Sequence, residues 1–206
     1  MAGARTSTRK YHSPERMERR NRTRLTILEA AEAVFRERGY GPATMPAVAR
    51  AAGVSLPTVY LYFRSKPALV SSLAERVTGS ADLDVGIALA EVNPLRQLEI
   101  GARMLRKLHE RSEVVVEVLR TGAGADPALA REWRRWRDRH LHAARAVAQS
   151  LRLQGALRDG IDIDAATDVL YTIGGPETFR QLVHDRGWTV RRYERWLAEA
   201  GERLLL

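Results

Sequence analysis

Apolar residues recur with a helical period along most of the chain, and no segment alternates apolar and polar residues as a strand does. The first such segment spans residues 22–38, where Ile27, Ala31 and Phe35 share one face and charged residues occupy much of the remainder. Gly39 ends this segment, because glycine is a common stop signal after a helix. The pattern predicts an all-α protein.

Two short helical segments follow, with a glycine turn between them. Thr44 precedes the first segment, whose opening turn contains Pro46, and Ser55 precedes the second. Threonine and serine are favoured N-caps, and proline is tolerated in a first turn because its missing amide has no helical partner there. Gly53 suits a tight turn that needs a left-handed backbone. Two short helices joined in this way are typical of a helix-turn-helix motif.

The rest of the chain is predicted to be helical as well. A longer helix opens at Lys66-Pro67 and ends near Gly79. Gly174-Gly175-Pro176 is expected to kink or break the penultimate helix. The six predicted helices after Gly79 span residues 82–91, 94–110, 113–122, 127–154, 164–184 and 189–205.

Positive charge is concentrated in the first 80 residues. They hold 14 Lys and Arg against 6 Asp and Glu, an excess of 8, whereas residues 81–206 hold 20 against 19, an excess of 1. An excess confined to one part of the chain indicates a polyanionic partner, most simply nucleic acid. Residues 1–21 carry several arginines without apolar periodicity and are predicted to form a flexible basic arm, either a solvated tail or a DNA-contacting segment.

Several function classes lack any supporting feature. The chain has no cysteine, which excludes disulfides and thiolate chemistry. It has no nucleophile elbow, phosphate-binding glycine loop or HExxH motif, so we predict no enzymatic activity and no cofactor. Asp138 and His142 lie one helical turn apart but lack a third ligand, so no metal site is predicted. Without an apolar span or signal core, the sequence predicts a cytoplasmic protein with no membrane partner.

The second short helix carries the residues expected to meet DNA. In a helix-turn-helix motif this helix enters the major groove, where its outer face reaches base edges and phosphates. If Val59 and Phe63 face inward, the outer residues are Leu56, Pro57, Thr58, Tyr60, Leu61 and Tyr62. Tyrosine hydroxyls suit phosphates, and apolar side chains suit thymine methyl groups. The alternative for Tyr60 and Phe63 is packing in the core of a small domain.

The run from Arg24 to Leu69, RLTILEAAEAVFRERGYGPATMPAVARAAGVSLPTVYLYFRSKPAL, closely resembles the DNA-binding domain of tetracycline-repressor-like (TetR family) regulators. The resemblance implies that Thr44 binds a phosphate at a helix N-terminus and that Lys66 holds another backbone phosphate. It also implies DNA contacts by Ser55 and by the outer residues of the second short helix. The matching elements are Ile27-Leu28, Ala30-Ala31, Phe35, Gly39-Tyr40, Thr44, Val48-Ala49, Ala52-Gly53-Val54-Ser55, Thr58-Val59-Tyr60, Phe63, and Lys66 with Leu69.

The same resemblance implies a division of labour along the chain. Residues 22–79 are expected to form the DNA-binding domain, and residues 80–206 a larger helical domain that binds ligand and dimerises. The end of the chain resembles the two dimerising helices of one large subgroup of the family. The residues that carry this match are Pro176-Glu177, Leu182-Val183, Arg186-Gly187-Trp188, Tyr193 and Trp196-Leu197.

A stripe of aromatic and basic residues marks a candidate ligand site. Trp133, Trp136, Arg137 and His140 lie at positions i, i+3, i+4 and i+7, along one helix face. Together with Met104 they are the candidate ligand-binding residues. The stripe suits an aromatic or anionic ligand, and the alternative is ordinary packing or a solvated edge.

These features lead to one functional hypothesis and one alternative. The hypothesis is a homodimeric, ligand-responsive transcriptional regulator, in the simplest case a repressor that binds a palindromic operator in double-stranded DNA and is released by a small-molecule inducer. The alternative is a helix-turn-helix protein that acts as an activator or architectural factor without an inducer.

Overall fold

The structure, a computed structural model, describes residues 14–79 and 83–206, and within those residues every regular element is a helix. The all-α prediction is confirmed. The first compact unit ends at Lys66 and the second begins at Pro67. The helices are α1 (Pro14–Arg38), α2 (Met45–Ala51), α3 (Leu56–Tyr62), α4 (Lys66–Thr78), α5 (Val85–Leu89), α6 (Pro94–Gly122), α7 (Pro127–Leu153), α8 (Ile163–Ile173), α9 (Pro176–Phe179) and α10 (Val190–Leu205), with a π-helical segment (Arg180–Asp185) directly after α9.

In the first unit, α2 packs against α1 and α3 packs against α2. Ile27 and Leu28 of α1 are fully buried, as is Val59 of α3, and Val48 of α2 is almost so. These side chains exclude water from the centre of a very small unit, where each buried branched residue contributes about 1.5–3 kcal/mol. The apolar faces that the sequence predicted are therefore the faces that form this core.

The first helix is longer than predicted. It begins at Pro14 rather than near residue 22, so residues 14–21, which were predicted to belong to a flexible arm, are helical. Neither glycine nor proline interrupts the chain between Pro14 and Gly39, and glutamate, arginine and methionine are good helix formers. The prediction rested on apolar periodicity, which a solvent-exposed helical turn does not need. The remainder of the predicted arm, residues 1–13, lies outside the described residues.

The second unit is built around the long helices α6 and α7, with α8 packed on α7 and α10 packed on α6. Leu98, Leu151 and Leu205 belong to one buried cluster, and Phe179 and Tyr193 belong to another. The prediction of separate helices at 94–110 and 113–122 was wrong, because α6 is continuous. The polar run that suggested a gap contains His109 and Ser112, both of which are buried on the inner side of α6.

The predicted break at Gly174-Gly175-Pro176 is confirmed. Helix α8 ends at Ile173, and Pro176 opens α9. Because proline has no amide proton, Thr172 loses a helical donor, and its carbonyl oxygen accepts instead from Thr178 Oγ1 at 2.7 Å. The break leaves several backbone carbonyls free to accept hydrogen bonds from side chains of other helices.

Candidate nucleic-acid interface and internal cavity

Side-chain caps hold the two helices of the predicted helix-turn-helix. Thr44 Oγ1 accepts a hydrogen bond from the Ala47 amide at 3.3 Å, and Ser55 Oγ accepts one from the Thr58 amide at 3.3 Å. Both predicted N-caps are thereby confirmed. Gly53 lies in the turn between the helices with φ of +64°, a conformation that glycine adopts without strain. The motif is thus specified locally, by residues within a few positions of each helix start.

We call the six predicted outer residues of α3 the α3 outer face. Leu61 is 75% exposed and Tyr60 is 47% exposed, whereas Val59 and Phe63 are buried in the first unit. Phe63 therefore packs in the core of the unit, which was the alternative to DNA contact, whereas Tyr60 does not. The outer face consists of Leu56, Thr58 and Tyr62, which are half-buried, and Pro57, Tyr60 and Leu61, which are exposed.

The hydroxyl groups near the start of α3 are engaged with one another. Ser55 Oγ and Thr58 Oγ1 lie 2.7 Å apart, a hydrogen-bond distance, in addition to the amide bond that caps the helix. Each hydroxyl keeps spare bonding capacity, since a hydroxyl can donate once and accept twice. Ser55 and Thr58 are therefore held in position before any partner arrives, and a contact with DNA remains a prediction for both.

Lys66 is bound inside its own unit. Its ammonium donates to the carbonyl oxygens of Tyr40 at 2.7 Å, Gly41 at 3.2 Å and Ala43 at 2.9 Å, and lies 4.1 Å from the Tyr40 ring centroid. An ammonium has three N–H donors, so these carbonyls account for all of them. The phosphate contact that the family resemblance implies requires Lys66 to release at least one carbonyl.

Other basic side chains are exposed on the first unit. Arg50 of α2 and Arg64, which follows α3, lie before and after the α3 outer face in sequence, and the prediction did not single them out. The first turns of α1 add Arg16, Arg19 and Arg20, all exposed, which the prediction placed in the basic arm. The charge excess of the first 80 residues is the signal that could have found Arg50 and Arg64.

A cavity of about 570 Å³ lies within the second unit. Its volume falls in the range of roughly 300–1,000 Å³ that is usual for small-molecule sites. The polar residues of its wall are Thr78, Asp84, Gln97, His109, Arg139 and His140. The apolar majority includes Leu98, Ala102, Met104, Leu105, Leu108, Trp136, Ala143, Ala144, Val147, Leu170, Ile173 and Leu197.

Only part of the predicted ligand stripe reaches this cavity. Trp136, His140 and Met104 line it, as predicted. Trp133 and Arg137 do not belong to its wall, and they contact each other instead, with the guanidinium 6.0 Å from the indole centroid. The residues of α7 that line the cavity include Ala143, Ala144 and Val147, which lie on one face of the helix. The four residues of the stripe cover a larger part of the helix circumference than this face, so two of them lie outside the wall.

His109 is a cavity residue that the prediction missed. It is buried, its Nε2 lies 3.0 Å from the Gly174 carbonyl oxygen, and its ring stacks on Phe179 at 4.9 Å. Burial lowers the pKa of His109 to about 4, more than its backbone hydrogen bond raises it. His140 makes a similar 3.0 Å bond to the Tyr171 carbonyl oxygen, and burial likewise lowers its pKa. Both rings are therefore neutral at pH 7.

The buried His109 predicts a dependence of stability on pH. The folded protein binds fewer protons than the unfolded chain between pH about 4 and about 6.5, so stability falls as pH drops through that window. The expected loss attributable to His109 between pH 7.5 and pH 5 is about 1 to 2 kcal/mol. Urea unfolding of the wild type and of His109→Gln at both pH values measures it. Equal losses in the two proteins would contradict the assignment.

Two further properties hold for the part of the chain that the structure describes. No helix there is long and apolar enough to cross a membrane. Residues 14–79 and 83–206 also contain no group of three or more His, Asp or Glu side chains placed to hold a metal ion.

Comparison with known proteins gives one family and several structural relatives. Residues 27–73 match the model described as bacterial regulatory proteins, tetR family. The uncharacterized HTH-type transcriptional regulator YdeS of Bacillus subtilis (strain 168) is 27% identical over 165 residues, which cover 78% of this chain and 79% of YdeS. The SmeT–triclosan complex superposes with a TM-score of 0.75 at 19% identity, over 90% of this chain and 92% of SmeT. NalD, the secondary repressor of the MexAB-OprM multidrug efflux pump in Pseudomonas aeruginosa, superposes with a TM-score of 0.72 at 23% identity, over 92% of this chain and 98% of NalD.

The matched segment and the geometry agree. Residues 27–73 contain the buried face of α1, the whole helix-turn-helix and the first turns of α4. The structural relatives share the fold of this chain, and YdeS is named as a transcriptional regulator rather than an enzyme, in line with the prediction of no enzymatic activity. Residues 27–73, the part of the chain that carries the helix-turn-helix, are therefore similar to the tetR family of bacterial regulatory proteins.

Proposed function

We propose that the protein is a homodimeric repressor that binds a palindromic operator and releases it when a small molecule enters the cavity. The observation that carries this proposal is the presence, in one chain, of an exposed helix-turn-helix and a separate, mostly apolar cavity. Residues 22–79 would bind DNA, and residues 80–206 would dimerise and bind ligand. Helix α4 begins at Lys66, directly after the motif, and runs to the cavity wall at Thr78.

DNA binding is assigned to the α3 outer face and the basic residues around it. The major groove of B-DNA is about 12 Å wide and admits a helix. Exposed Tyr60 and Leu61 would approach bases or sugar-phosphate, while Arg50 and Arg64 would supply sequence-independent affinity through phosphates. Thr44 would bind a phosphate at the start of α2, the helix that its own side chain caps.

Dimerisation is assigned to the segment from α9 to α10. A single α3 reads one half-site, and a two-fold dimer presents two such helices about 34–36 Å apart, as a palindrome requires. Tyr193 and Leu197 are buried within the chain and serve its own core. Leu182, Val183, Trp188 and Trp196 are half-buried and are the better candidates for contact with a second copy. Light scattering should give twice the 23.1 kDa chain mass.

Polar contacts connect α4 to a residue of the cavity wall, which supports the proposal that ligand binding acts on α4. Ser71 of α4 donates to the buried Glu132 carboxylate of α7 at 3.3 Å. The guanidinium of Arg139, which lines the cavity, lies 3.9 Å from the same carboxylate. A ligand that moves Arg139 therefore acts on a group that holds α4. Such a ligand shifts the protein between two states only if it binds one of them more tightly.

The alternative, an activator or architectural protein without an inducer, makes a different prediction for DNA affinity. Fluorescence anisotropy of a bound duplex, titrated with a broad library of small apolar molecules, separates the two. An inducer-controlled repressor is expected to lose at least about tenfold in DNA affinity with some members of the library, which corresponds to a coupling of about 1.4 kcal/mol. Unchanged affinity across the library would favour the alternative.

A further inference from the structure

Resting on the proposed function, we propose that the cavity selects uncharged, largely apolar ligands that carry a hydroxyl or N–H donor, and that the Nδ1 atoms of His109 and His140 accept this hydrogen bond. Nothing in the family match or in the named relatives specifies a ligand for this chain.

The helix break supplies the carbonyls that orient both rings. The Gly175 amide bonds to the Thr172 carbonyl oxygen at 3.4 Å, so it does not continue the α-helical ladder to Tyr171. The Tyr171 carbonyl oxygen accepts from His140 Nε2, and the Gly174 carbonyl oxygen accepts from His109 Nε2, each at 3.0 Å. The Gly-Gly-Pro sequence that follows α8 thus orients His109 of α6 and His140 of α7.

The partners of the rings determine their tautomers. A carbonyl oxygen only accepts, so each Nε2 must carry a proton. Both rings are neutral because burial disfavours the imidazolium, and a neutral ring has one proton only. Each Nδ1 is therefore a bare acceptor. Neither Nδ1 has a hydrogen-bond partner among the residues that the structure describes, and both rings belong to the cavity wall.

The other polar groups of the wall are already engaged. The Gln97 amide donates to Ser150 Oγ at 2.9 Å and accepts from Gln154 at 3.2 Å. Asp84 caps α5 through the Gly86 amide at 2.9 Å. Arg139 lies 3.9 Å from the Glu132 carboxylate, which Arg135 approaches to 3.3 Å.

These neighbours define what the cavity accepts. The two Nδ1 atoms are acceptors among apolar side chains, and an acceptor left without a donor after ligand binding costs free energy. A ligand with a hydroxyl or N–H group satisfies this need. A carboxylate or phosphate would place its own acceptor atoms against the imidazoles and would lose its hydration, so anionic ligands are disfavoured at the two Nδ1 atoms. The prediction of an anionic ligand site, made for the stripe that includes Arg137, is not carried over to this cavity.

Three probes with a common apolar body test the selection. They are 4-phenylphenol, its methyl ether 4-methoxybiphenyl, and biphenyl-4-carboxylate, each titrated calorimetrically into the full-length protein at pH 7.5. The phenol is expected to bind about tenfold more tightly than the ether, because one satisfied hydrogen bond separates them, and the carboxylate is expected to bind most weakly. The proposal is overturned if the phenol has no advantage over the ether, including the case in which neither binds, or if the carboxylate binds best.

A pair of variants locates the acceptor. His140→Phe keeps an aromatic ring but removes one of the two Nδ1 acceptors, and because His109 Nδ1 remains, it is expected to reduce the preference for phenol over ether to about fivefold or less. His142→Phe is the matched control, because His142 lies two residues away on α7, is exposed and does not line the cavity. It should retain the full preference. Equal preferences in the two variants would refute the assignment to His140.

A measurement on the wild type does not depend on the folding of either variant. Long-range ¹H–¹⁵N spectra of ¹⁵N-histidine-labelled protein report which ring nitrogen carries the proton. Two rings are expected to stay protonated at Nε2 alone at pH 7.5, and their Nδ1 signals should shift when 4-phenylphenol is added. Protonation at Nδ1, or at both nitrogens, would overturn the proposal. Release of DNA is measured separately, so a phenol that binds selectively without releasing DNA would contradict the inducer function while leaving the ligand class intact.

Discussion

Replacing Lys66 with methionine is expected to destabilise the first unit by about 2 to 4 kcal/mol, because three carbonyl oxygens lose a charged donor at once. The loop from Tyr40 to Ala43, which precedes α2, would then lose its hydrogen bonds to the ammonium, together with the contact between that group and the Tyr40 ring. Amide hydrogen exchange of α2 and α3 measures the loss directly. Methionine preserves much of the apolar stem, so the effect reports on the ammonium.

Arg64→Met is the matched control for that substitution. Arg64 is exposed and lies two residues before Lys66. Its loss should leave stability within about 0.5 kcal/mol and should lower the salt dependence of DNA binding by the contribution of about one phosphate contact. If Lys66→Met instead kept full stability and only flattened the salt dependence, Lys66 would be a phosphate ligand, as the resemblance to the family implies, and not a structural tie.

Replacing Gly174 with alanine is expected to cost about 1 to 3 kcal/mol of stability through overpacking. A Cβ atom at this position would lie 2.8 Å from the Leu170 carbonyl oxygen and 2.9 Å from Leu105 Cδ1, and 3.5 Å from His140 Cε1. The backbone must shift to admit it, and the carbonyl that orients His109 would move as well. Urea unfolding measures the cost, and the preference for 4-phenylphenol over its ether should shrink in the same variant.

Gly101→Ala provides the contrast. Gly101 lines the cavity, and a Cβ there would meet no atom within 4 Å. It lies inside α6, where alanine is favoured over glycine by roughly 1 kcal/mol. The two glycine substitutions are therefore expected to change stability in opposite directions. A similar loss in both would indicate that the crowding at Gly174 is not the cause.

Features that depend on neighbouring residues were predictable from the sequence. Thr44 and Ser55 were identified as helix starts, and each caps a helix through a bond to an amide three residues away. The Gly-Gly-Pro break was predictable for the same reason, because proline lacks an amide donor wherever it occurs. The helix-turn-helix combines such local signals, which explains why its position was predicted correctly.

Features that depend on contacts between residues distant in sequence were not predictable from the sequence. His109 bonds to a carbonyl 65 residues away, and no local pattern records that partner. The available signal was its position in the series Leu98, Ala102 and Leu105, which continues one apolar face of a helix to a lone histidine. The continuity of α6 was missed on the same ground, because a buried histidine and a buried serine looked like a polar gap.

Lys66 has partners in the structure that the family pattern does not specify. The pattern located the residue correctly at the start of α4, and the resemblance implied a phosphate as its partner. Three backbone carbonyls accept hydrogen bonds from the ammonium, and the phosphate contact stays a prediction. A lysine donor is satisfied equally by a carbonyl or by a phosphate oxygen, so the residue type alone does not choose between them.

The most direct test of the central claim, that this chain recognises a palindromic operator as a homodimer, is selection of bound fragments from a random duplex pool. Purified protein at near-physiological salt retains fragments, which are then sequenced. The expected result is a palindrome whose half-site centres lie about one helical turn apart, or a multiple of it. Recovery of no common motif, with binding that disappears as salt is raised, would mean that the basic first unit attracts polyanions without reading sequence, and would contradict the claim.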